Sequence, residues 1–201
     1  MSRYEWREIR TEYREVRASA HGDELRYILN RETIRDTTTG RTVTRAIVRH
    51  PGVCVIVPFL TEERIVLVRQ YRESIDRELW ELPAGTLAGR EDNGRVVATE
   101  TPAACAAREL REETGYAAAR WDKVAELVVM PGGNEQILHL YFAHGLTRRE
   151  QALEEGEAIS EVRAFGGTEL ERMITSGEIV DTKTLAGLLL ALARRPSGVK
   201  L

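Results

Sequence analysis

The segment from Glu100 to Tyr116 reads E-T-P-A-A-C-A-A-R-E-L-R-E-E-T-G-Y and constrains this chain more than any other stretch. It predicts a helix, because Thr101 can cap the N-terminus, Pro102 suits the first turn and Gly115 suits a left-handed C-terminal cap. An alanine-rich run fills the interior. The segment should therefore display its charged side chains at fixed spacing.

Three carboxylates crowd one face of this predicted helix. Glu112 and Glu113 follow Glu109 by three and four residues, a spacing that stacks side chains on one face. They lie near the C-terminal end, where the helix dipole is negative and like charges repel. Such a cluster opposes stability unless it binds a cation, and oxygen-rich sites suit Mg²⁺ or Mn²⁺. A solvated helix face is the alternative.

The wider spacing resembles the signature of the Nudix hydrolases. Seven residues separate Glu100 from Arg108-Glu109-Leu110. One residue then precedes Glu112-Glu113, and one more precedes Gly115 and the apolar Tyr116. Typed positions at fixed spacing are far more specific than a lone glycine-rich loop. The resemblance implies an α/β fold, the Nudix α/β/α sandwich around a mixed sheet.

Flanking segments resemble the ADP-ribose and nucleotide-sugar pyrophosphatase subgroup. Residues 68–72, V-R-Q-Y-R, and 78–85, E-L-W-E-L-P-A-G, are similar to the stretch that precedes the signature there. Pro131, in a Met-Pro-Gly-Gly turn, lies fifteen residues after the signature, which resembles another mark of the subgroup. The similarity runs from about residue 45 to residue 192.

One departure concerns the first glycine of the signature. Gly94 stands six residues before Glu100, as the family pattern requires, but the Ala-Gly after Leu-Pro normally supplies this glycine. Six residues after Gly85 the chain has Glu91 rather than Glu100. A nine-residue insertion between Gly85 and Glu100 explains this difference. This polar, glycine-containing stretch is expected to form a surface loop. Gly85 is the better candidate for the structural glycine.

Charge and hydrophobic alternation divide the chain into two predicted regions. Residues 1–46 are charge-rich and predict a small antiparallel sheet from weak alternation at 25–29 and 42–46. A thin sheet buries little alone, and the resembling family builds its substrate pocket across a dimer interface, so we expect a homodimer. Residues 47–201 are expected to form the hydrolase domain.

That domain contains apolar runs typical of buried strands, followed by two helical patterns. The predicted strands cover residues 53–59, 65–68, 124–129, 136–143 and 160–165, and the predicted helices cover 168–176 and 182–194.

Composition limits the class of protein. The 201 residues are 42% hydrophobic and 30% charged, with a formal net charge of −3 that gives no broad attraction to nucleic acid or anionic membrane. No signal-type or bilayer-spanning apolar run is present, so a cytoplasmic location is the expectation. Cys54 and Cys105 are expected to be buried thiols, since they form neither a zinc nor a redox spacing.

The resemblance implies water attack on the pyrophosphate of a nucleoside diphosphate linked to another moiety, helped by divalent metals. By the same resemblance, Glu109 and Glu113 are metal ligands and Glu112 ligates or orients at the same cluster. The backbone carbonyl of Ala84 completes one coordination sphere. Arg108 is expected to pair with a glutamate rather than touch substrate.

A general base is expected in an acidic loop toward the C-terminal part of the domain, by resemblance to ADP-ribose pyrophosphatases. Residues 154–157 read E-E-G-E, and Glu157 is favoured over Glu155. A solvated acidic loop is the alternative.

Substrate contacts are expected on both sides of the signature. Arg72 is the strongest candidate, because a planar guanidinium grips phosphate with two hydrogen bonds. Two glutamates flank Trp80, and one of them can bind a ribose hydroxyl or serve in an ion pair. The predicted substrate-binding residues are Arg72, Arg69, Glu78, Glu81, Pro131 and Gly132.

These features predict a metal-dependent pyrophosphatase of ADP-sugars, with ADP-ribose the leading substrate and AMP and a sugar phosphate the products. Another nucleotide sugar, such as GDP-mannose or a UDP-sugar, is an alternative within the enzyme class. A non-catalytic module that senses nucleotide is the alternative outside it, and the intact glutamates argue against that reading.

Overall fold

A computed structural model describes residues 3–19, 22–151 and 158–194 of the chain. These residues form fourteen strands, three α-helices and a short 3-10 turn. The strands are β1 (Tyr4–Ser19), β2 (Gly22–Asp36), β3 (Thr42–Arg49), β4 (Val53–Thr61), β5 (Arg64–Arg72), β6 (Arg77–Glu81), β7 (Ala84–Thr86), β8 (Gly89–Asp92), β9 (Arg95–Ala98), β10 (Tyr116–Ala117), β11 (Arg120–Val128), β12 (Ile137–His144), β13 (Thr147–Arg148) and β14 (Ile159–Gly166). The helices are α1 (Pro102–Thr114), α2 (Gly167–Thr175) and α3 (Thr182–Ala193).

The proximity of Cα atoms groups the chain into two compact units. The first unit comprises Met1–Val53, Thr86–Thr101 and Leu127–Leu138. The second comprises Cys54–Gly85, Pro102–Glu126 and His139–Leu201.

The first unit contains the antiparallel sheet expected near the N-terminus. Its strands lie in the order β1-β2-β3, and Ile34 of β2 pairs with Trp6 on one side and Val43 on the other. Strands β1 and β2 are 16 and 15 residues long, well beyond the segments that alternation indicated. The exposed strand β1 is dominated by charged side chains, which hide the alternation by which strands are recognised.

The segment expected as a surface loop is a β-hairpin of strands β8 and β9 in the first unit. Asn93 and Gly94 form its two-residue turn with φ angles of 49° and 74°. Asn-Gly favours such hairpin turns because both residues tolerate positive φ. Val96 of β9 is buried together with Leu25 and Ile28, so the insertion packs on the N-terminal sheet.

A seven-stranded sheet forms the centre of the second unit. Five strands lie in the order β11-β12-β4-β5-β14, while β6 pairs with β5 and β7 pairs with β4. Helix α3 packs closely on this sheet at Gly187, where a Cβ atom would lie 2.4 Å from Leu82 and 3.3 Å from Val57. The strands and helices predicted for residues 53–194 are all present, in an α/β arrangement with a mixed sheet.

Helix α1 has the ends that the sequence predicted. It begins at Pro102 and ends at Thr114, and Gly115 follows with a φ of 68°. Among the residues that the structure describes, no helix combines the length and the apolar character needed to cross a bilayer.

Candidate active site

Helix α1 buries two of the three carboxylates expected at a metal site. Glu109 and Glu113 are each 3% exposed, and the side chain of Glu112 is 12% exposed. Glutamate is seldom buried without a partner, because removing its charge from water is costly. The partners of these side chains therefore indicate how the cluster is held.

Arg108 supplies a cation to the same helix face. Its Nη1 atom lies 2.8 Å from Oε1 of Glu109 and 2.9 Å from Oε2 of Glu112. The guanidinium thus joins two carboxylates that would otherwise repel each other. This agrees with the expectation that Arg108 pairs with a glutamate of the signature.

The start of strand β7, at Ala84 and Gly85, contacts the carboxylates of Glu113 and Glu109. The Ala84 amide donates a hydrogen bond to Oε2 of Glu113 over 3.0 Å. A Cβ atom at Gly85 would lie 1.7 Å from Oε1 of Glu109, so any other residue there would displace this carboxylate. Gly85 therefore has the structural role that the sequence favoured for it.

Gly94 has a different environment, inside the first unit. It lies in the hairpin turn, and its carbonyl accepts a hydrogen bond of 2.6 Å from Nδ2 of Asn30. Gly94 thus has a role of its own in the hairpin turn, and Gly85 stays the better candidate for the structural glycine.

Glu100, the first glutamate of the signature, closes the base of this hairpin. Its Oε1 atom accepts a hydrogen bond of 2.8 Å from the amide of Ala88, and the amide of Thr99 donates to the carbonyl of Ala88 over 2.7 Å. These bonds hold the two ends of the hairpin together. Extra residues can therefore be accommodated between Ala88 and Thr99 without releasing Glu100.

The donor set around α1 fits a hard divalent cation. It comprises three carboxylates beside the backbone at Ala84, and Mg²⁺ is usually held by a few carboxylates together with water and substrate phosphates. Within the described ranges, no three His, Cys, Asp or Glu side chains form a ready-made metal cage. Arg108 lies between two of the carboxylates instead. The metal-ligand roles of Glu109, Glu112, Glu113 and Ala84 stay predictions.

A second charged cluster surrounds Glu81, whose side chain is 2% exposed. Arg72 donates to its two oxygens from Nε and Nη2, over 2.7 Å and 2.5 Å. Lys183 donates to Glu81 as well and lies 2.9 Å from Oδ2 of Asp181. Arg72 and Glu81, both predicted to bind substrate, are thus paired with each other.

Charges in this cluster shift the ionisation of its members. The hydrogen bond to Glu81 raises the pKa of Arg72, and burial acts against that rise. Burial alone would raise the pKa of Asp181, but Lys183 and Thr184 together hold it below the ordinary value. The pKa shifts of Arg72 and Asp181 thus both favour the charged forms of these two side chains.

Arg69 and Glu78, the other predicted contacts on β5 and β6, are also paired. Nη2 of Arg69 lies 2.9 Å from Oε2 of Glu78, and Ser160 donates to Oε1 of Glu78 over 2.7 Å. The guanidinium lies 5.9 Å from the centroid of the Trp80 ring. These side chains are half-exposed, so their substrate role stays a prediction.

Four predicted site residues remain: Pro131, Gly132, Glu155 and Glu157. Pro131 and Gly132 belong to the first unit, in a turn where the amide of Asn134 donates to the carbonyl of Met130 over 3.0 Å. Glu155 and Glu157, the candidates for general base, lie outside the described residues.

Sequence reasoning missed Lys183, Asp181 and Gln151. Asp181 caps α3 by accepting from the amide of Thr184, and an aspartate before a helix is a signal that could have identified it. Gln151 donates to the carbonyl of Glu113 over 2.6 Å. Nothing in the local sequence indicates this contact or that of Lys183 with Glu81, because both depend on tertiary packing.

Comparison with known proteins gives a family for this chain. A family model describing the NUDIX domain matches residues 48–186. An ADP-ribose pyrophosphatase of Mycobacterium tuberculosis is 38% identical over 165 residues, covering 81% of this chain and 75% of that protein. A protein of Bacillus methanolicus described as a methanol dehydrogenase activator is 36% identical over 148 residues, covering 73% and 75%.

A solved structure supports the fold independently. A crystal structure of an ADP compounds hydrolase superposes with a TM-score of 0.64 at 16% sequence identity, covering 94% of this chain and 95% of that one. At this identity the similarity concerns the fold alone. The α/β fold that the resemblance implied is confirmed.

Proposed function

Because this chain belongs to the Nudix family and is a hydrolase of nucleoside diphosphate derivatives, we propose that its substrate is ADP-ribose or a related ADP-sugar. The products would be AMP and a sugar phosphate. The observation that carries this proposal is the burial of Glu109 and Glu113 against Ala84 and Gly85, which concentrates negative charge where a metal and a pyrophosphate can meet.

Nudix hydrolases in general use divalent metals, and the carboxylates of this chain suit Mg²⁺ or Mn²⁺. The bound ion would supply neutralisation of phosphate charge and a more acidic water nucleophile. Glu109 and Glu113 would hold it, with Glu112 and the carbonyl of Ala84 completing the donor set. Arg108 would keep Glu109 and Glu112 oriented through its two hydrogen bonds.

We assign substrate positioning to the arginines and glutamates of β5 and β6. Arg72 is anchored by Glu81, and a guanidinium held in this way loses little side-chain freedom when it binds phosphate. The other proposed contacts are Arg69, Glu78, Pro131 and Gly132. Proton removal from the attacking water falls to Glu157 or Glu155.

We also propose a homodimer formed through the N-terminal sheet, acting in the cytoplasm. Several large apolar side chains on β1 and β3 are about half-exposed, which favours a covering partner. They are Tyr4, Trp6, Tyr13, Val16 and Val43. Light scattering checks this point, and a fully active monomer would contradict it.

A panel of nucleotide sugars tests the substrate proposal. Wild-type protein is incubated with ADP-ribose, another ADP-sugar, GDP-mannose and a UDP-sugar, with Mg²⁺ or Mn²⁺, and the products are identified by chromatography. The proposal predicts the highest kcat/KM with ADP-ribose and the release of AMP. Faster turnover of GDP-mannose or a UDP-sugar would favour the alternative within the enzyme class. Absence of turnover with every member would favour a non-catalytic nucleotide-binding module.

A further inference from the structure

Two buried thiols lie in contact in the second unit. The Sγ atoms of Cys54, in β4, and Cys105, in α1, are 2.9 Å apart, and both side chains are 0% exposed. Both cysteines are free thiols. The expectation that they are buried thiols is confirmed, and their sequence spacing did not indicate their contact. They are 51 positions apart in sequence, so only the fold brings them together.

The pair lies directly beside the carboxylates of α1. Both sulfurs contact the carbonyl oxygen of Gly85, at 3.5 Å from Cys54 and 3.6 Å from Cys105. Gly85 is the residue whose backbone closes on Glu109. Cys105 also precedes Glu109 by one helical turn, and its sulfur lies 3.6 Å from Nη2 of Arg108. The sulfurs thus contact two neighbours of the Glu109 carboxylate, the backbone of Gly85 and the side chain of Arg108.

We propose that Cys54 and Cys105 form an oxidisable dithiol whose closure to a disulfide weakens divalent metal binding at Glu109. The first part of this proposal, formation of the disulfide, rests on the contact between the two sulfurs alone. Its effect on metal binding rests on the proposed function, because that proposal assigns the metal to this cluster.

The oxidant in this proposal is a peroxide, because it is small enough to reach a buried sulfur during local opening of the fold. With hydrogen peroxide as the oxidant, one sulfur attacks a peroxide oxygen and the O–O bond breaks. The products of this step are a sulfenic acid and one water. The second thiol then attacks the sulfenic sulfur, the S–S bond forms, and a second water leaves. The two sulfurs lose two electrons in total, and the peroxide gains them.

Closure of this bond requires movement around Gly85. A disulfide has an S–S distance of about 2.05 Å, so the sulfurs must approach by nearly 1 Å. Rotation of the two side chains, together with a small shift of α1 against β4, can close this gap. A Cβ atom at Gly85 would lie 1.7 Å from Oε1 of Glu109, so the Gly85 backbone and this carboxylate are closely packed. We therefore expect closure of the disulfide to move the Glu109 carboxylate from its position in the reduced protein.

Mass spectrometry tests the disulfide without reference to activity. Folded wild-type protein is treated with hydrogen peroxide, alkylated under denaturing conditions and digested. We expect a linked pair of peptides containing Cys54 and Cys105 that dithiothreitol separates. Cys54→Ala and Cys105→Ala are matched controls, and neither should give a cross-link. Recovery of both cysteines as alkylated thiols, or as sulfinic acids without a cross-link, would overturn the inference.

Titration with Mn²⁺, followed by electron paramagnetic resonance, tests the effect on metal binding. Oxidised wild-type protein should bind Mn²⁺ roughly tenfold or more weakly than reduced protein, the size of effect seen when supporting contacts of metal ligands are disturbed. The affinity of the Cys54→Ala variant should not change with peroxide. Equal affinities of oxidised and reduced wild-type protein would refute the proposed coupling. Neither the mass spectrometry nor the Mn²⁺ titration measures turnover. Failure to hydrolyse any nucleotide sugar would therefore refute the proposed function without deciding on the disulfide.

Discussion

The carboxylate of Glu109 closes on the backbone of Gly85 so tightly that a Cβ atom there would lie 1.7 Å from Oε1 and 1.9 Å from Cδ. This contact joins strand β7, before the insertion, to helix α1, which follows the insertion. It favours a glycine at position 85 and involves no atom of Gly94.

Substitution of the two glycines distinguishes their roles. Gly85→Ala should reduce turnover by about a hundredfold or more, because it displaces a predicted metal ligand. Gly94→Ala is the matched control: its positive φ and a Cβ contact of 2.9 Å with Ile9 should cost stability but leave metal affinity unchanged. Steady-state kinetics and Mn²⁺ titration measure both. Equal loss of metal affinity in the two variants would contradict the assignment.

The β8–β9 hairpin should contribute to stability, although a simple inserted loop would not. Val96 is buried with Leu25 and Ile28, so Val96→Ala should lower the free energy of unfolding by about 1 to 2 kcal/mol. Val97, on the same strand, is 39% exposed, and Val97→Ala should change the free energy of unfolding by less than about 0.5 kcal/mol. Urea unfolding gives both values. Equal effects would mean that the hairpin packs on nothing.

The signature predicted helix α1 and its ends correctly, because its spacing is local. The helix and the pairing of Arg108 with its neighbours both follow from residues within a few turns of one another. The buried cluster of Lys183 and Glu81 could not be predicted, because these residues are 102 positions apart. The same limit hid the contact between Cys54 and Cys105. The β8–β9 hairpin has a local signal, the Asn93-Gly94 turn, but its polar composition is also typical of a surface loop.

Lys183 should stabilise the buried carboxylate of Glu81. Lys183→Met removes one of its two cationic partners, so we expect the free energy of unfolding to fall by about 1 to 3 kcal/mol. Lys123→Met is a matched control, because Lys123 pairs with Glu126 on the surface and should contribute less than about 1 kcal/mol. Denaturant unfolding at neutral pH compares them. A larger effect at Lys123 would contradict the burial argument.

His50 should make stability depend on pH. Burial, together with the charge of Arg26, lowers its pKa from 6.5 to about 4, and the Gly52 amide donates to Nδ1 over 3.0 Å. The folded protein therefore holds His50 neutral, while the unfolded chain takes up a proton below pH 6.5. The free energy of unfolding therefore contains a contribution from neutral His50. This contribution is fully present above about pH 6.5 and is lost as the pH falls toward 4, with an upper limit of about 3 kcal/mol.

His50→Asn provides the comparison, since its amide oxygen can accept the same hydrogen bond without titrating in this range. Urea unfolding of both proteins at about pH 7.5 and about pH 5 should show the larger loss of stability in the wild type. An identical pH dependence in the two proteins would rule out His50 as its source.

The central claim is that this chain hydrolyses a nucleotide sugar with a divalent metal held by the carboxylates of α1. Glu113→Gln tests it most directly, because the amide oxygen can still accept from Ala84 while the charge is removed. AMP release from ADP-ribose is measured with saturating Mg²⁺ and with EDTA, and thermal unfolding is followed without metal. We predict Mg²⁺-dependent AMP release by the wild type, loss of about a hundredfold or more in the variant and unchanged or higher thermal stability. Near-wild-type turnover by folded Glu113→Gln protein, or AMP release that persists in EDTA, would contradict the account.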